Sequence, residues 1–256
     1  MTGQVYDEGH VALHRWIGRA YNNPLGESAF PLLQRLLGLD GPRQVLDAGC
    51  GRGGTALWWA RHGARVVAFD PSLPMLAEAE RRVGRAALSG SVALVRADLR
   101  TFRPDREFDL VVAHDVLCYS DHRARDLRRL AECCRAGGIL SVSDYFGDGV
   151  EPTVLAVVAA WGIRPPLPFD RYARLLDRLP VAVLLMADTT RRYAEHWRGI
   201  RRRIETRRPR LVDRVGRSAV ERLERQIRTI ERAVESRRFG HLWLVLERQG
   251  REAAHV

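Results

Sequence analysis

Residues 45–54 read VLDAGCGRGG, and this stretch decides the fold. An apolar strand runs into an acid and then into a glycine-rich turn, and the run TALWWA that follows opens a helix. The first strand, turn and helix of a doubly wound sheet hold a nucleotide-type ligand in this way. The stretch therefore predicts a parallel α/β sheet with an adenosine-containing ligand at the end of its first strand.

Asp47 indicates which ligand this is. Gly49-x-Gly51-x-x-Gly54 also fits the dinucleotide fingerprint, and Asp70 ends the next apolar strand about 20 residues on. However, a pyrophosphate needs backbone N–H groups and a helix N-terminus rather than a carboxylate at the end of the strand. A carboxylate attracts a ligand that carries a sulfonium and an amino group. Asp47 therefore favours S-adenosylmethionine over a dinucleotide.

The motif from Asp47 to Gly53 resembles the first motif of class I S-adenosylmethionine-dependent methyltransferases, which reads acid-x-Gly-x-Gly-x-Gly. The segment that follows Asp70, PSLPMLAEA, is similar to a helix start common in the small-molecule members of this family, the natural-product, sterol and UbiE-like group. Two further strands, at 92–99 and 108–119, arrive in the order that the family expects. The resemblance is specific from 44 to 144 and only architectural from there to about 248.

The resemblance implies how the cofactor is held. Asp70 would accept hydrogen bonds from both ribose hydroxyls, Asp98 would meet the adenine amino group, and Leu99 would lie beside the adenine ring. The loop after the fourth strand would lie under the methionine moiety. The predicted cofactor-binding residues are Asp47, Gly49, Cys50, Gly51, Gly53, Asp70, Pro71, Met75, Asp98, Leu99, His114 and Tyr119.

Four residues are candidates for the chemistry of methyl transfer. His114 follows the fourth strand directly and is the best-placed general base, because an imidazole titrates near neutrality. Asp115 either orients His114 or serves instead of it. Tyr6 resembles the N-terminal tyrosine that many small-molecule methyltransferases fold over the cofactor. His196 shares one helix face with Tyr193 and Trp197, a face that would roof the acceptor pocket.

The pattern of elements predicts a Rossmann-like, seven-stranded, doubly wound sheet with an antiparallel last strand and a helical lid. Five strands alternate with helices over 44–144, a sixth strand follows at 181–186, and helices are predicted near 190–205 and 211–237 before the last strand. The predicted divisions are an N-terminal helical lid over 1–40, a cofactor-binding core over 41–144, a helical cap with the sixth strand over 145–205, and a C-terminal helix and strand over 206–256.

The positive charge is uneven along the chain. Residues 191–238 hold 17 arginines against seven acids, so this segment carries ten of the formal net charge of +11. Such a segment either binds RNA or an anionic small substrate, or forms a solvated helix surface with pairs such as Glu221–Arg225 and Glu224–Arg228. We favour the solvated surface. An anionic acceptor and a homodimer stay open.

The sequence predicts neither a disulfide framework nor a metal site, because the four cysteines show no paired spacing and His10 and His14 lack a nearby carboxylate. It shows neither a signal-type apolar region nor a run of 18 apolar residues, which predicts a soluble cytoplasmic protein without a membrane span.

The expected function is methyl transfer from S-adenosylmethionine to the O, N or C atom of a small molecule, in secondary metabolism. The alternatives are an RNA methyltransferase that uses residues 191–238, a non-catalytic scaffold with the methyltransferase fold, and a nicotinamide-dependent oxidoreductase. Against RNA, we find no separate RNA-binding motif and no Asn/Asp-Pro-Pro-Tyr-type motif after the fourth strand.

Overall fold

The computed structural model describes residues 23–38 and 43–250. Its strands are β1 (Gln44–Ala48), β2 (Arg65–Asp70), β3 (Val92–Arg96), β4 (Phe108–His114), β5 (Cys134–Gly147), β6 (Val181–Asp188) and β7 (Phe239–Arg248). Its α-helices are α1 (Phe30–Leu37), α2 (Gly54–Arg61), α3 (Leu73–Arg85), α4 (Arg123–Glu132), α5 (Pro152–Ala160), α6 (Phe169–Leu176), α7 (Thr190–Val215) and α8 (Arg217–Glu235).

The seven strands form one sheet in the order β3-β2-β1-β4-β5-β7-β6. The first five strands pair in parallel, whereas β7 lies antiparallel to both β5 and β6. This arrangement confirms the predicted Rossmann-like sheet with an antiparallel last strand. It also brings the carboxyl ends of β1, β2 and β4 to one edge of the sheet, where ligands bind in folds of this kind.

Helices cover both faces of the sheet. On one face, Phe30 of α1 and Trp59 of α2 are almost completely buried in a cluster that includes side chains of β1, β2 and β5. On the other face, Leu127 of α4 and Tyr172 of α6 are fully buried against β4, β5 and β7. The described part of the predicted lid, residues 23–38, therefore contributes to the core of the sheet. The remainder of that predicted lid, with Tyr6, lies outside the described residues.

α7 and α8 form a helical hairpin, and the predicted break between them is wrong in position. α7 does not end near residue 205 but continues to Val215 with Pro209 inside it, and the chain turns at Gly216, whose φ is 83°. A proline costs a helix one backbone hydrogen bond. Here Ile204 and Leu211, on either side of the exposed Pro209, are buried against α8 and keep the helix continuous.

No helix within 23–38 or 43–250 combines the length and the hydropathy that a membrane crossing requires.

Candidate cofactor and acceptor site

The loop between β1 and α2 has glycine at three positions where the backbone is left-handed. Gly49, Gly51 and Gly53 have φ values of 65°, 51° and 71°, a region that other residues rarely adopt. A Cβ atom on residue 49 would lie 2.6 Å from Val116 Cγ2, so Val116, in the loop after β4, packs directly on the turn. The turn is thus a tight concave cradle that touches the loop after the fourth strand.

Asp70 ties this turn to the end of β2. Its Oδ2 atom accepts a hydrogen bond of 2.9 Å from the backbone N–H of Gly51, and its Oδ1 atom accepts one of 2.9 Å from the N–H of Ser72. Burial raises the pKa of the Asp70 carboxyl, while these two hydrogen bonds act in the opposite direction. Each carboxylate oxygen keeps one further lone-pair direction. Asp70 can therefore accept two more donors, as a ribose diol would require.

Asp47 is a buried carboxyl at the end of β1, with 4% of its surface exposed. Its Oδ2 atom accepts a hydrogen bond of 3.0 Å from the backbone N–H of Ala56 in α2. Burial raises the pKa of Asp47 to about 8, and the nearby Asp70 acts in the same direction. A carboxyl destabilised in this way would be stabilised as an anion by a cationic ligand. The donor set at this edge thus fits a ligand that has a cationic group and a ribose.

The other predicted cofactor residues differ in their surroundings. Cys50 is buried in the turn, and its backbone N–H donates to the carbonyl of Phe69 over 2.9 Å. Met75 is almost completely buried in the first turn of α3, where Ser72 caps the helix, whereas Pro71 is exposed. Leu99 is half-buried beside the core of the sheet. Cys50 thus lies in the turn itself, and Met75 supports the neighbouring helix start.

The Asp98 carboxylate accepts hydrogen bonds from residues of the turn that follows it. Its Oδ1 atom accepts hydrogen bonds from the backbone N–H groups of Arg100 (2.9 Å) and Thr101 (2.8 Å), and from the Thr101 hydroxyl (2.9 Å). Partial burial would raise the pKa of Asp98, but the bonds from Thr101 and Arg100 outweigh it, and the pKa is lowered. To meet an adenine amino group, Asp98 would have to use its Oδ2 atom, which lies 3.3 Å from the Arg100 guanidinium.

His114 is buried at the end of β4. Its Nε2 atom lies 2.8 Å from the Ser141 hydroxyl, which also accepts a hydrogen bond of 2.9 Å from Nε1 of Trp243. Its Nδ1 atom has no hydrogen-bond partner among the described residues. Burial lowers the pKa of His114 to about 4, although the neighbouring Asp115 acts in the opposite direction. His114 is therefore neutral at pH 7 and, as a base, weaker than an ordinary histidine.

Asp115 is the centre of a polar network that joins β4, β5 and β7. Its φ is 57°, and its backbone N–H donates to the Ser143 carbonyl over 3.0 Å. Its Oδ1 atom accepts hydrogen bonds from the Ser143 hydroxyl (2.7 Å) and from Nε2 of His241 (2.9 Å). Thr189 lies 2.6 Å from the other ring nitrogen of His241. A non-glycine residue in a left-handed conformation costs energy, and such residues are enriched at functional sites.

Tyr119 and His196 lie near an aromatic cluster beside this network. Tyr119 is half-buried against the cluster that contains Tyr145 and Tyr193. The ring centroid of His196 lies 5.9 Å from that of Trp197 on α7. Tyr193, on the same helix, stacks on His241 with ring centroids 5.6 Å apart. The predicted shared face of Tyr193, His196 and Trp197 therefore approaches the Asp115 network mainly through Tyr193.

His241, Ser143 and Ser141 contact the predicted residues His114 and Asp115 but were not predicted from the sequence. All three lie on one face of β5 and β7, among side chains that are mostly apolar or aromatic. A histidine or serine at an inward position of a central strand is the signal that could have found them, because a buried polar group needs a partner.

The arginine-rich hairpin compensates part of its charge internally. Arg208 of α7 pairs with Glu224 (3.0 Å) and Glu221 (3.9 Å) of α8, and Arg201 pairs with Glu231 (3.2 Å) and Glu205 (2.9 Å). Glu221 and Glu224 thus pair across the hairpin rather than with Arg225 and Arg228, as their spacing had suggested. For both glutamates, Arg208 on the opposite helix is the ion-pair partner, rather than the arginine one turn further along α8.

A family model described as a methyltransferase domain matches residues 46–142. The matched segment begins in β1, two residues after its first, and ends within β5, so it contains the glycine turn, Asp70 and Asp115. This match identifies residues 46–142 as a methyltransferase domain.

Curated relatives of this methyltransferase domain act on different acceptors, according to their names. The trans-aconitate 2-methyltransferase of Methylobacterium radiotolerans is 35% identical over 147 residues, which is 54% of this chain and 54% of that protein. The malonyl-[acyl-carrier protein] O-methyltransferase of Enterobacter lignolyticus is 32% identical over 108 residues, 42% of this chain and 41% of that protein. The chain thus matches about half the length of these relatives or less.

Among solved structures, the methyltransferase domain and its surrounding helices are similar to phosphoethanolamine N-methyltransferase 2 of Haemonchus contortus, in complex with phosphomonomethylethanolamine and S-adenosylhomocysteine. The TM-score is 0.86 at 19% identity, over 96% of this chain and 58% of that one. At this identity the likeness shows the fold.

Proposed function

We propose that this chain transfers a methyl group from S-adenosylmethionine to a small-molecule acceptor. The observation that carries the proposal is the geometry of the β1–α2 turn. It has a buried carboxyl, Asp47, on one side, and it is tied to Asp70 on the other through the Gly51 N–H. The match of residues 46–142 to a methyltransferase domain covers the same residues and supports the proposal.

S-adenosylmethionine would supply a methyl carbon that its sulfonium sulfur has already activated. The residues of this chain would bind and orient the cofactor. Asp47 would face the cationic amino group, Asp70 would accept hydrogen bonds from the ribose hydroxyls, and the glycine turn would let the backbone approach closely. With the methyl group in place, the protein needs to align the acceptor and exclude water.

The acceptor would bind beside the loop after β4. Val116 packs on Gly49, so the neighbouring Asp115 lies next to the proposed cofactor cradle. His114, Asp115, His196 and Tyr6 stay the predicted catalytic residues, and Tyr119 stays a predicted cofactor-binding residue. An anionic acceptor, a homodimer, a role in secondary metabolism and a cytoplasmic location also stay predictions.

The test is label transfer from methyl-labelled S-adenosylmethionine into an extract of the source cells, fractionated by size. We expect label in the small, nuclease-resistant fraction and its loss with Asp70→Ala. Label in large, ribonuclease-sensitive material would instead support an RNA methyltransferase. Binding of S-adenosylhomocysteine without transfer to any fraction would support a non-catalytic scaffold.

A further inference from the structure

Two donors hold one oxygen of Asp115, whereas the other oxygen has a single, longer contact. Oδ1 accepts hydrogen bonds from Ser143 and His241, whereas the contact of Oδ2 is with the Tyr145 hydroxyl at 3.3 Å. The Asp115 side chain keeps 12% of its surface exposed, while His241 is fully buried. A carboxylate oxygen has room for two donors. Oδ2 can therefore accept a strong hydrogen bond from a ligand without breaking the network.

His241 has no freedom to turn away from Asp115. Its ring is held from the other side by the Thr189 hydroxyl, 2.6 Å from Nδ1, and by Tyr193, which stacks on it at an interplanar angle of 12°. An ionised carboxylate only accepts hydrogen bonds, so the proton on Nε2 must point at Asp115. The His241 imidazole thus fixes the direction of the carboxylate through Oδ1 and does not occupy Oδ2.

The groups around Asp115 keep it charged. Burial alone would raise the pKa of the Asp115 carboxyl, but the charge interaction and hydrogen bond with His241 and the hydrogen bond from Ser143 outweigh it and lower the pKa. A carboxylate of low pKa is a weak base, whereas efficient proton removal from a phenol needs a base whose pKa is near the working pH. Asp115 is therefore better suited to binding a positive charge than to removing a proton.

Aromatic rings border the same carboxylate. Tyr145, Tyr193 and Phe239 are mutual neighbours, with ring centroids 5.4 to 6.0 Å apart, and the Tyr145 hydroxyl faces Asp115 directly. These rings surround the carboxylate with largely apolar surface, and the attraction between opposite charges is stronger where water is excluded. An anionic carboxylate beside aromatic rings is a site for an ammonium group.

We propose that Asp115, fixed by His241 and bordered by Tyr145 and Tyr193, binds the nitrogen of an amine acceptor, so that the reaction is N-methylation. This inference rests on the proposed methyl transfer. The nitrogen lone pair forms the new N–C bond while the C–S bond breaks, and the electron pair of that bond stays on sulfur. An amine that arrives protonated gives its proton to solvent water before the attack. Positive charge passes from sulfur to nitrogen, next to Asp115, which stabilises it.

In this arrangement His241 is a positioning residue. It touches Asp115 rather than the acceptor, and its effect depends on the N–H that it directs at Oδ1. A glutamine at position 241 can offer an amide N–H in nearly the same place, whereas a phenylalanine fills the space without a donor.

The binding test uses two probes of nearly the same shape, choline and its uncharged analogue 3,3-dimethylbutan-1-ol, measured by calorimetry on the full chain without cofactor. We expect choline to bind at least about tenfold more tightly than the alcohol, and this ratio to disappear in Asp115→Asn. Asp121→Asn removes the same charge at an exposed position and serves as the control. Equal binding of the two probes, or no binding of choline, would overturn the inference.

For the role of His241, we expect His241→Gln to keep most of the choline preference and His241→Phe to lose it. Affinity for S-adenosylhomocysteine, measured on each variant, reports that the fold and the cofactor site are intact. If His241→Phe fails to fold, Ser143→Ala removes the other donor to Oδ1 and should reduce the preference as well. A preference unchanged in the variants that fold would overturn the positioning role.

The class of the product separates this inference from the proposed function. After label transfer into the cell extract, unreacted S-adenosylmethionine, which is itself a cation, is first removed by chromatography. A cation exchanger at acidic pH then retains a methylated amine and lets neutral ethers and esters pass. Label in the retained fraction supports N-methylation. Label found only in the unretained fraction overturns the inference and leaves methyl transfer standing, whereas failure to bind S-adenosylhomocysteine overturns the proposed function.

Discussion

Val116 packs on Gly49, and this contact joins the loop after β4 to the glycine turn after β1. The two loops belong to the two halves of the proposed site, since the turn would cradle the cofactor and the loop carries Asp115. Because Gly49 has no side chain, the two loops can lie in contact without displacing Val116 and the neighbouring Asp115.

Substitution of Gly49 by alanine should weaken cofactor binding more than its backbone strain alone explains. The added Cβ atom would meet Val116 at 2.6 Å, and the φ of 65° is unfavourable for any residue with a side chain. We expect Gly49→Ala to lower the affinity for S-adenosylhomocysteine by at least about tenfold, measured by calorimetry.

Gly63→Ala is the matched control, because Gly63 also has a positive φ, of 85°, but has no atom within 4 Å of the added Cβ. Both variants should lose about 1–2 kcal/mol of unfolding free energy from the strained backbone. Equal cofactor affinities in the two variants would contradict the role given to the contact with Val116.

Asp47 should release a proton when the cofactor binds. Its pKa of about 8 in the free protein lies above the ordinary 3.8, so the carboxyl is mostly protonated at pH 7. A cationic amino group beside it would favour the ionised form and expel the proton. The affinity for S-adenosylhomocysteine should therefore rise from pH 6 to 8, and the calorimetric heat at pH 7 should differ between phosphate and Tris buffers.

Asp47→Asn should abolish this buffer dependence and weaken binding. Identical heats in the two buffers would argue against a cation at Asp47.

The raised pKa of Asp47 also makes the unfolding free energy of the ligand-free protein depend on pH. The neutral carboxyl is favoured in the folded state, so its contribution to the unfolding free energy is present at pH 4 and is lost as pH rises toward about 8.

Asp70 distinguishes the proposed cofactor from a dinucleotide. Asp70→Ala removes the acceptor of the Gly51 and Ser72 N–H groups as well as the proposed ribose contacts. Hydrogen bonds to a charged group contribute about 1.5–3 kcal/mol, so we expect a loss of about 10- to 100-fold in affinity for S-adenosylhomocysteine. Calorimetry with NAD should give no heat of binding for either protein, and tight NAD binding by the wild-type chain would support an oxidoreductase.

His114 should make the fold sensitive to acid. Its pKa of about 4 lies below the ordinary 6.5, so the folded state favours the neutral ring. The stability that this contributes is complete above pH 6.5 and is lost as pH falls toward 4. We expect the unfolding free energy of the wild type to fall by up to about 3 kcal/mol relative to His114→Gln between pH 7 and pH 4, measured by denaturant titration.

The prediction that His114 is the general base is tested by kcat rather than by stability. His114→Gln keeps a donor for Ser141 but has no titrating nitrogen, so it should lower kcat without changing the affinity for S-adenosylhomocysteine. An unchanged kcat would remove His114 from the mechanism and leave Asp115 as the acceptor-side group of the β4 loop.

The sequence predicted the sheet well because the signals for it are local. The glycine turn follows Asp47 within a few residues, and each strand of the core is a short apolar run. The hydrogen bonds within the turn at Asp98 could also have been predicted from the sequence. Thr101 follows three residues after Asp98, and such spacing favours hydrogen bonds from the backbone to the Asp side chain. This spacing predicts that the Asp98 carboxylate accepts hydrogen bonds from its own turn, which leaves less of it for the adenine amino group.

The contact between Asp115 and His241 could not be predicted in the same way. The two residues are 126 positions apart, and His241 reaches Asp115 only because β7 lies beside β5. The sequence suggested that a late antiparallel strand exists, but it did not indicate which of its residues face the β4 loop. A long-range polar pair of this kind depends on strand register, which one sequence does not specify.

The position of β7 has a consequence for how the chain folds during synthesis. β7 pairs with β5 from Ile139–Glu247 to Gly147–Phe239, yet about 90 residues separate the two strands in the chain. At a ribosomal rate of about 5–20 residues per second, β5 waits on the order of ten seconds with one apolar edge unpaired. An open strand edge invites pairing with other chains. During that interval the nascent protein should be most prone to aggregation, and a chaperone that shields this edge should raise the yield of folded protein.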